Sequence, residues 1–269
     1  MLKSQDTDNP QQYVFMSHDV DWRRQGAPVD HILKRKDRFE EGLLENMLEK
    51  NPYYNIPEYM DLEEKFGIRS TFFFRTIYED GNYEDYEDDI RALIKGGWEV
   101  GLHSAPSSIN DIHKIHDEKL KLESMAKTIV QANRVHYLVF NKDLPQKLES
   151  LGFRYDSSVR HSKDRINESE MGYFMLGNLV EFPITLMDAY MFTFMKLREN
   201  QVVPAFKRTL NYGRNLKRNF NIITVIWHDN VLQMIGGRMY KKVLEYLTSQ
   251  NDITISSGIN IARIIKNKI

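Results

Sequence analysis

The sequence predicts an α/β fold built on a mainly parallel sheet or barrel. Three observations point there. Strand-like and helix-like segments alternate along the chain. The strand-like segments are short, β-branched or aromatic, and continuously apolar, as strands buried on both faces are. Several of them end in titratable side chains, and parallel α/β folds build their sites at the carboxyl ends of strands.

The strand-like segments are Tyr13–Ser17, Ser70–Phe74, Glu99–Leu102, His136–Phe140, Val180–Ile184, Ile222–Trp227 and Ile253–Ile255. Helices are expected between them. Pro57 suits a first helical position and Gly67 the residue after a helix ends. Ile90–Lys95 closes at Gly96-Gly97, and Asp117–Gln131 carries Leu120, Met125, Ile129 and Val130 as its apolar residues. Pro145–Leu151 ends at Gly152, Tyr240–Leu247 has apolar residues at helical spacing, and Gly258–Ile265 follows the last strand. Without a sequence repeat or a linker, the expectation is one domain over residues 1–269, with a charged helical insertion at about 22–54. A second excess segment, Met187–Leu216, is aromatic at first (Tyr190, Phe192, Phe194) and then basic (Lys207, Arg208, Arg214, Lys217, Arg218). A packed helix with a solvated face explains it most simply; shaping a substrate groove is the alternative.

Composition narrows the function. A net charge of −1 gives no electrostatic case for nucleic acid or an anionic membrane. The absence of cysteine excludes disulfides, zinc thiolate sites and cysteine nucleophiles. No apolar run approaches the roughly 18–20 residues that span a bilayer. Met1–Gln12 is polar and lacks the apolar stretch of a signal peptide, so a cytoplasmic location is expected.

The first strand ends in Ser17-His18-Asp19-Val20-Asp21-Trp22. Alternation puts Asp19 and Asp21 on one side of an extended chain, with His18 and Val20 opposite. Two carboxylates this close are costly when both are ionised, unless a cation lies beside them. Glu99–His103 and Ile223–His228 are apolar strands that end in histidine, a good neutral metal ligand. Arg134-Val135-His136-Tyr137 lies at a fourth strand end.

These features, in this order, resemble the polysaccharide deacetylases of the NodB-homology group, carbohydrate esterase family 4. The resemblance runs from Tyr13 to His228. Asp19-Val20-Asp21 resembles the first family motif in its Asp-x-Asp form, and Ser70–Phe74 the second strand. Glu99–Ser104 resembles the second motif, and Arg134–Tyr137 stands where the family has Arg-x-Pro-Tyr. Gly152–Ser158 matches a common stretch, Glu181-Phe182-Pro183 resembles the fourth motif, and Trp227-His228 the last. The resemblance implies a distorted (β/α)7-type barrel and a metal-dependent hydrolase of a carbon–nitrogen amide bond, most simply one that de-N-acetylates a sugar. Asp19 would be the general base, His228 the general acid, and Arg134 the partner that orients Asp19. Asp21 and His103 would hold a divalent metal, usually zinc or cobalt in the family and expected here to be zinc. Tyr137 stands where the family's backbone amide assists the oxyanion.

One position departs from the pattern. The family's His-x-x-x-His places a second histidine four residues after His103, and this chain has Ser107 there. Three protein ligands are usual at a catalytic zinc. His136 is the expected substitute; His113 and His116 are second choices and read more simply as surface residues. His18 is expected to pack or to support the site from behind. Trp22 and Trp227 are suited to stacking on a sugar or to the core, His161 could reach substrate from a loop, and Phe72-Phe73-Phe74 is expected in the core. The vacant position leaves two alternatives open: a sugar-binding or regulatory barrel that has lost catalysis, and a metal-independent amide hydrolase of the same fold.

Overall fold

The computed structural model describes residues 11–45, 51–79, 81–168, 171–216 and 220–267. In chain order the elements are β1 (Gln11–Val20), α1 (Val29–Leu33), α2 (Ile56–Lys65), β2 (Thr71–Phe74), α3 (Glu87–Lys95), β3 (Glu99–Ser104) and α4 (Ile112–Ala126). They continue with β4 (Ala132–Val135), α5 (Leu144–Ser150), β5 (Tyr155–Asp156), β6 (Phe174–Leu176), β7 (Leu179–Glu181) and β8 (Leu186–Met187). The chain finishes with α6 (Glu199–Asn215), β9 (Phe220–Ile226), α7 (Met239–Thr248), β10 (Ile253–Ser256) and α8 (Gly258–Lys266).

The strands form one mixed sheet in the order β6-β7-β5-β4-β3-β2-β1-β9-β8, curled into a half-barrel with helices outside. Every pair is parallel except β6–β7. β1 is the hub. β9 pairs along one edge from Gln11 to Ser17, while β10 (at Gln12–Phe15) and β2 (at Ser17–Val20) share the other.

The two-residue period of β1 sorts its side chains between two compartments. Val14, Met16 and Val20 face the large core between sheet and helices, with Phe72 and Phe74 of β2. Phe15 faces the concave side, where it packs with Phe73, Tyr155, Phe182 and Ile222 and meets Ile261 and Ile265 of α8. Each such fully buried side chain contributes about 1.5–3 kcal/mol relative to exposure. Gly258 admits this packing, because a Cβ there would lie 2.4 Å from the Tyr155 ring. α8 thus fills one end of the concave side. The strands' carboxyl ends leave the other end for polar residues.

Some elements differ from the sequence reading. The fourth strand is Ala132–Val135, not His136–Phe140; His136–Leu138 is a tight turn instead. Its pattern was hidden because Asn133 and Arg134 are polar yet fully buried, while the apolar Val139 and Phe140 are more than a third exposed. The helix expected at Asp117–Gln131 runs Ile112–Ala126. Asp111 caps it by accepting the His113 N–H at 3.0 Å, Lys127 ends it in the left-handed region, and Ile129 lies beyond it, 72% exposed. The charged insertion holds only the short α1 and a turn at Lys36–Arg38, tied down by Ala27, Ile32, Phe39, Tyr53 and Met234; residues 46–50 lie outside the described residues. The second excess segment forms a turn at Tyr190–Phe194 and then α6, while Lys217 and Arg218 lie outside the described residues.

Candidate active site

β4, β3, β1 and β9, with β2 between β3 and β1, end along the same edge of the sheet, and the titratable residues at those ends converge. Arg134 is fully buried in β4. Its Nη1 donates to Asp19 Oδ1 at 2.5 Å and to Ser17 Oγ at 2.9 Å, while Nε and Nη2 donate to the Ser157 carbonyl and hydroxyl at 3.1 and 3.0 Å. Its guanidinium lies over the Phe73 ring at 4.2 Å. Burial works against the charge of Asp19, but Arg134, then His103 and His228, outweigh it and hold the carboxyl below its usual range.

Asp21 lies just past the end of β1, fixed by Arg75 Nη1 donating to its carbonyl at 2.9 Å. Its Oδ1 is 3.2 Å from His103 Nε2 and 3.6 Å from His136 Nε2. Its Oδ2 is 3.6 Å from His228 Nε2. Burial again opposes ionisation, and the His103 contact, followed by the charge of His228, overcomes it, so the carboxyl is strongly lowered.

The tautomer of His103 follows from its partner. Nδ1 is 2.9 Å from the Arg134 carbonyl, which can only accept, so Nδ1 carries the hydrogen. Nε2 then presents a lone pair toward Asp21, the orientation that metal-ligating histidines take from a partner on their other nitrogen. Burial pushes His136 down to about 4 in spite of Asp21, which keeps it neutral. Its ring is stacked on that of Tyr137 at 3.8 Å, and Tyr137 and Leu138 both have positive φ (62° and 54°). Two consecutive non-glycine residues in the left-handed region cost about 1–2 kcal/mol each, the kind of strain that clusters at working sites. The turn aims His136 back toward Asp21.

The donor set fits a divalent cation. Oδ1 of Asp21 is buried and has no hydrogen-bond partner. One atom each from Asp21, His103 and His136 lie within 4.8 Å of one another. Donors held at ~2.0–2.1 Å from a tetrahedral zinc lie roughly 3.3 Å apart, close to the 3.2 and 3.6 Å between Asp21 Oδ1 and the two imidazole nitrogens.

His228 follows β9 and is held by a residue that sequence reasoning missed. Asp188 is fully buried; its Oδ1 is 2.6 Å from His228 Nδ1 and its Oδ2 accepts the His228 N–H at 2.8 Å. Tyr59 donates to the His228 carbonyl at 3.0 Å. Burial would lower the His228 ring, but the charge and hydrogen bond of Asp188, with Asp21 and Asp19, push it up to about 10. An imidazolium held this way stores a proton at neutral pH. The signal for Asp188 was faint: it follows a strand of two residues, beyond the segment Val180–Ile184 taken as the strand.

The remaining sequence-stated residues divide clearly. Trp227 does not reach the site. It is fully buried, with its ring 5.4 Å from Tyr240 and 5.9 Å from Phe192, because β9 turns that side chain to the helix side. Trp22 is half-buried, edge-on to His31 at 4.3 Å, and lines a cleft beside His228. His161 is exposed and does not line that cleft. Tyr137 is 69% exposed at the rim. Ser107, His113 and His116 are exposed and outside the cluster, and Phe72, Phe73 and Phe74 are fully buried. Glu181 lies behind the site: it accepts the N–H groups of Ser158 and Val159 at 3.1 and 2.9 Å, and burial followed by neighbouring Asp156 raises its carboxyl well above the usual range.

Comparison with solved structures identifies the architecture. The chain superposes on a protein assigned as a polysaccharide deacetylase from Mycobacterium smegmatis with a TM-score of 0.68, at 17% identity, covering 99% of this chain and 93% of that one. This is the NodB-type polysaccharide deacetylase fold. A second protein so assigned, from Pseudomonas aeruginosa PAO1, gives a TM-score of 0.67 at 12% identity over 94% of this chain and 90% of that one. Puue allantoinase gives 0.66 at 13% identity, with the same coverage of 94% and 90%. At these identities the likeness is one of fold. No family model matches the chain, and no curated protein matches it. Among the described residues no helix is long and apolar enough to cross a membrane.

Proposed function

We propose that this protein is a metal-dependent hydrolase of a carbon–nitrogen amide bond, releasing acetate from an N-acetylated sugar. The observation that carries the reading is the convergence of Asp21, His103 and His136 on one point, with Asp19 and His228 beside it. Asp21, His103 and His136 would hold the cation, zinc by the chemistry of one carboxylate and two imidazoles. When bound, that cation would polarise the amide carbonyl and acidify a water.

The chain's own groups supply the rest. Asp19, kept ionised by Arg134, takes the proton of the attacking water. The water oxygen bonds to the acyl carbon, the C–N bond breaks, and its electron pair stays on nitrogen. His228, charged through Asp188, gives that nitrogen a proton and leaves acetate and the free amine. Arg134 and Asp188 each hold a reacting group in its ionised form and its orientation.

Acetate release from N-acetylated sugars by metal-loaded protein tests this. Release that stops with a strong chelator and returns with zinc is expected. Activity that survives the chelator would favour a metal-independent amide hydrolase instead. Tight sugar binding without any acetate would favour a barrel that has lost catalysis.

A further inference from the structure

The chemistry above uses only the inner end of the cleft beside His228. This cleft has a volume of about 630 Å³, and Asp21, Asp188 and His228 form part of its wall. Its other walls come from the turn between β9 and α7 and from the two segments that a minimal βα repeat does not need, the insertion after β1 and the stretch between β8 and α6. These segments contribute aromatic residues to the lining, Trp22 and Phe192 with the mostly buried Tyr53 behind them. They also contribute Arg35, Arg38, Lys196 and Arg198.

None of these four cations makes an ion pair among the described residues; Arg35 Nη1 donates to the His31 carbonyl at 3.1 Å, a neutral partner. Beyond Asp21 and Asp188 at the inner end, where Asp188 is held by His228, two more carboxylates share the lining, Asp37 and Glu199. Glu199 is already taken by Arg238 at 2.6 Å, and Arg238 also pairs with Glu40. Away from the reacting groups, one carboxylate without an ion pair among the described residues, Asp37, therefore faces four cations. The field is felt by His31, whose ring is lowered by burial and then by Arg35, Arg38 and Lys34. Lys196 sits at φ 55°, a left-handed position that an L residue adopts at a cost. Like charges gathered in excess of nearby counter-charge repel, and an incoming anion relieves that repulsion.

The direction of the reaction connects the two ends. The amine that leaves the acyl carbon is the sugar's own nitrogen, protonated from His228. The sugar thus lies on the His228 side, and its other substituents extend into this cleft. We infer that the substrate is an N-acetylated sugar carrying a phosphoryl ester, with the ring between the aromatic walls and the phosphoryl oxygens on Arg35, Arg38, Lys196 and Arg198. Guanidinium groups suit phosphoryl oxygens because their planar fork donates two parallel hydrogen bonds. This inference rests on the amide-hydrolase reading of the site and names the substrate class that the reading left open.

The test is calorimetric binding to the metal-loaded Asp19→Asn protein, in which turnover is blocked. The probes are N-acetylglucosamine, its 1-phosphate, its nucleoside diphosphate conjugate and inorganic phosphate. The 1-phosphate is expected to bind at least tenfold more tightly than the neutral sugar, with the gap shrinking as salt rises. An added Arg35→Gln, Lys196→Gln and Arg198→Gln set should close the gap. Lys207→Gln, on the exposed face of α6 outside the cleft, should leave it open. Tighter binding of the nucleoside diphosphate conjugate than of the 1-phosphate would assign a diphosphate, and the reverse a monoester. Equal affinity for neutral and phosphorylated sugar overturns the inference. So does a preference that survives the triple substitution, which would put phosphate on the cation, or inorganic phosphate binding as tightly as the sugar phosphate. The single Arg198→Gln change, at an exposed position, gives the same readout if the triple variant melts early. Phosphosugar binding that depends on the cations without acetate release by wild-type protein would sink the hydrolase and keep the cleft. Acetate release with no phosphate preference would do the opposite.

Discussion

His18 and Asp19 are neighbours on one strand and belong to two different polar clusters. His18 faces the helices, where Nε2 lies 2.8 Å from Glu63 Oε1 and Nδ1 lies 2.6 Å from the Trp227 carbonyl. Glu63 also accepts from Tyr240 at 2.6 Å, Trp98 Nε1 at 2.6 Å and the Ser70 hydroxyl at 2.8 Å. Both oxygens are satisfied and both residues are fully buried. Asp19 faces the concave side, where the cluster is open. Asp21 is 24% exposed through its side chain, its Oδ1 has no donor, and two imidazole nitrogens point at that atom. The first cluster is closed on itself and holds the fold together. The second has donors to spare for a cation and a path to solvent. Burial and titratable residues alone do not separate the two; the count of unsatisfied atoms does.

The contrast is broken most severely at Asp19. Asp19→Asn should lower acetate release by about 10²–10⁴-fold, the usual scale for a general base. Unfolding by urea should shift much less, because Asn keeps an oxygen for Arg134. Retained activity would remove Asp19 from its proposed role.

Glu63→Ala should show the reverse profile. Leaving His18 without its buried partner is expected to cost about 3–5 kcal/mol of stability. Burial opposes the Glu63 charge, but His18 overcomes it and lowers the carboxyl, so this contribution is present above the ordinary carboxylate range and is lost as pH falls. The folded fraction should still bind zinc. Loss of zinc at unchanged stability would mean that the clusters are not separate.

Asp188→Asn sharpens the active side. The His228 ring of the metal-free protein, followed by NMR, should titrate well below about 10 in the variant. A raised histidine contributes stability that is complete below 6.5 and lost as pH rises towards about 10. The stability gap between wild type and variant should therefore narrow over that window, and a constant gap would contradict the pairing.

The smallest effect is expected at Glu99, half-buried at the opposite end of β3. Burial raises its carboxyl from 4.5 to about 6, against the Thr71 hydroxyl and the Ile259 N–H, which donate at 2.7 and 3.0 Å. For a raised carboxylate the folded state binds the extra proton, so stability falls as pH climbs from 4.5 to about 6. The loss should be about 1–2 kcal/mol by urea unfolding, and Glu99→Gln should flatten it.

The fold was readable because β1, β2, β3 and β9 each carry a short apolar run that ends in polar residues, the pattern that strands buried on both faces of a parallel sheet produce. Asp19, Asp21, His103 and His228 were visible for the same reason, an abrupt change from an apolar run, whereas Arg134 and His136 were visible through the resemblance of Arg134–Tyr137 to a family motif. Asp188 was not, since β8 is too short to make an apolar run. Trp227 was misplaced because sequence cannot say which face of β9 is the concave one. Its register against Ser17 decides that, through the Trp227 N–H donating to the Ser17 carbonyl at 2.9 Å. β4 escaped because Arg134 and Asn133 look like loop residues until their buried partners are known.

The most direct measurement is anomalous diffraction at the zinc edge from crystals grown with zinc. One strong peak within bonding distance of Asp21, His103 Nε2 and His136 Nε2 is the expected result. A peak at other residues, or full-occupancy zinc that leaves His136 uncoordinated, would contradict the site at its foundation.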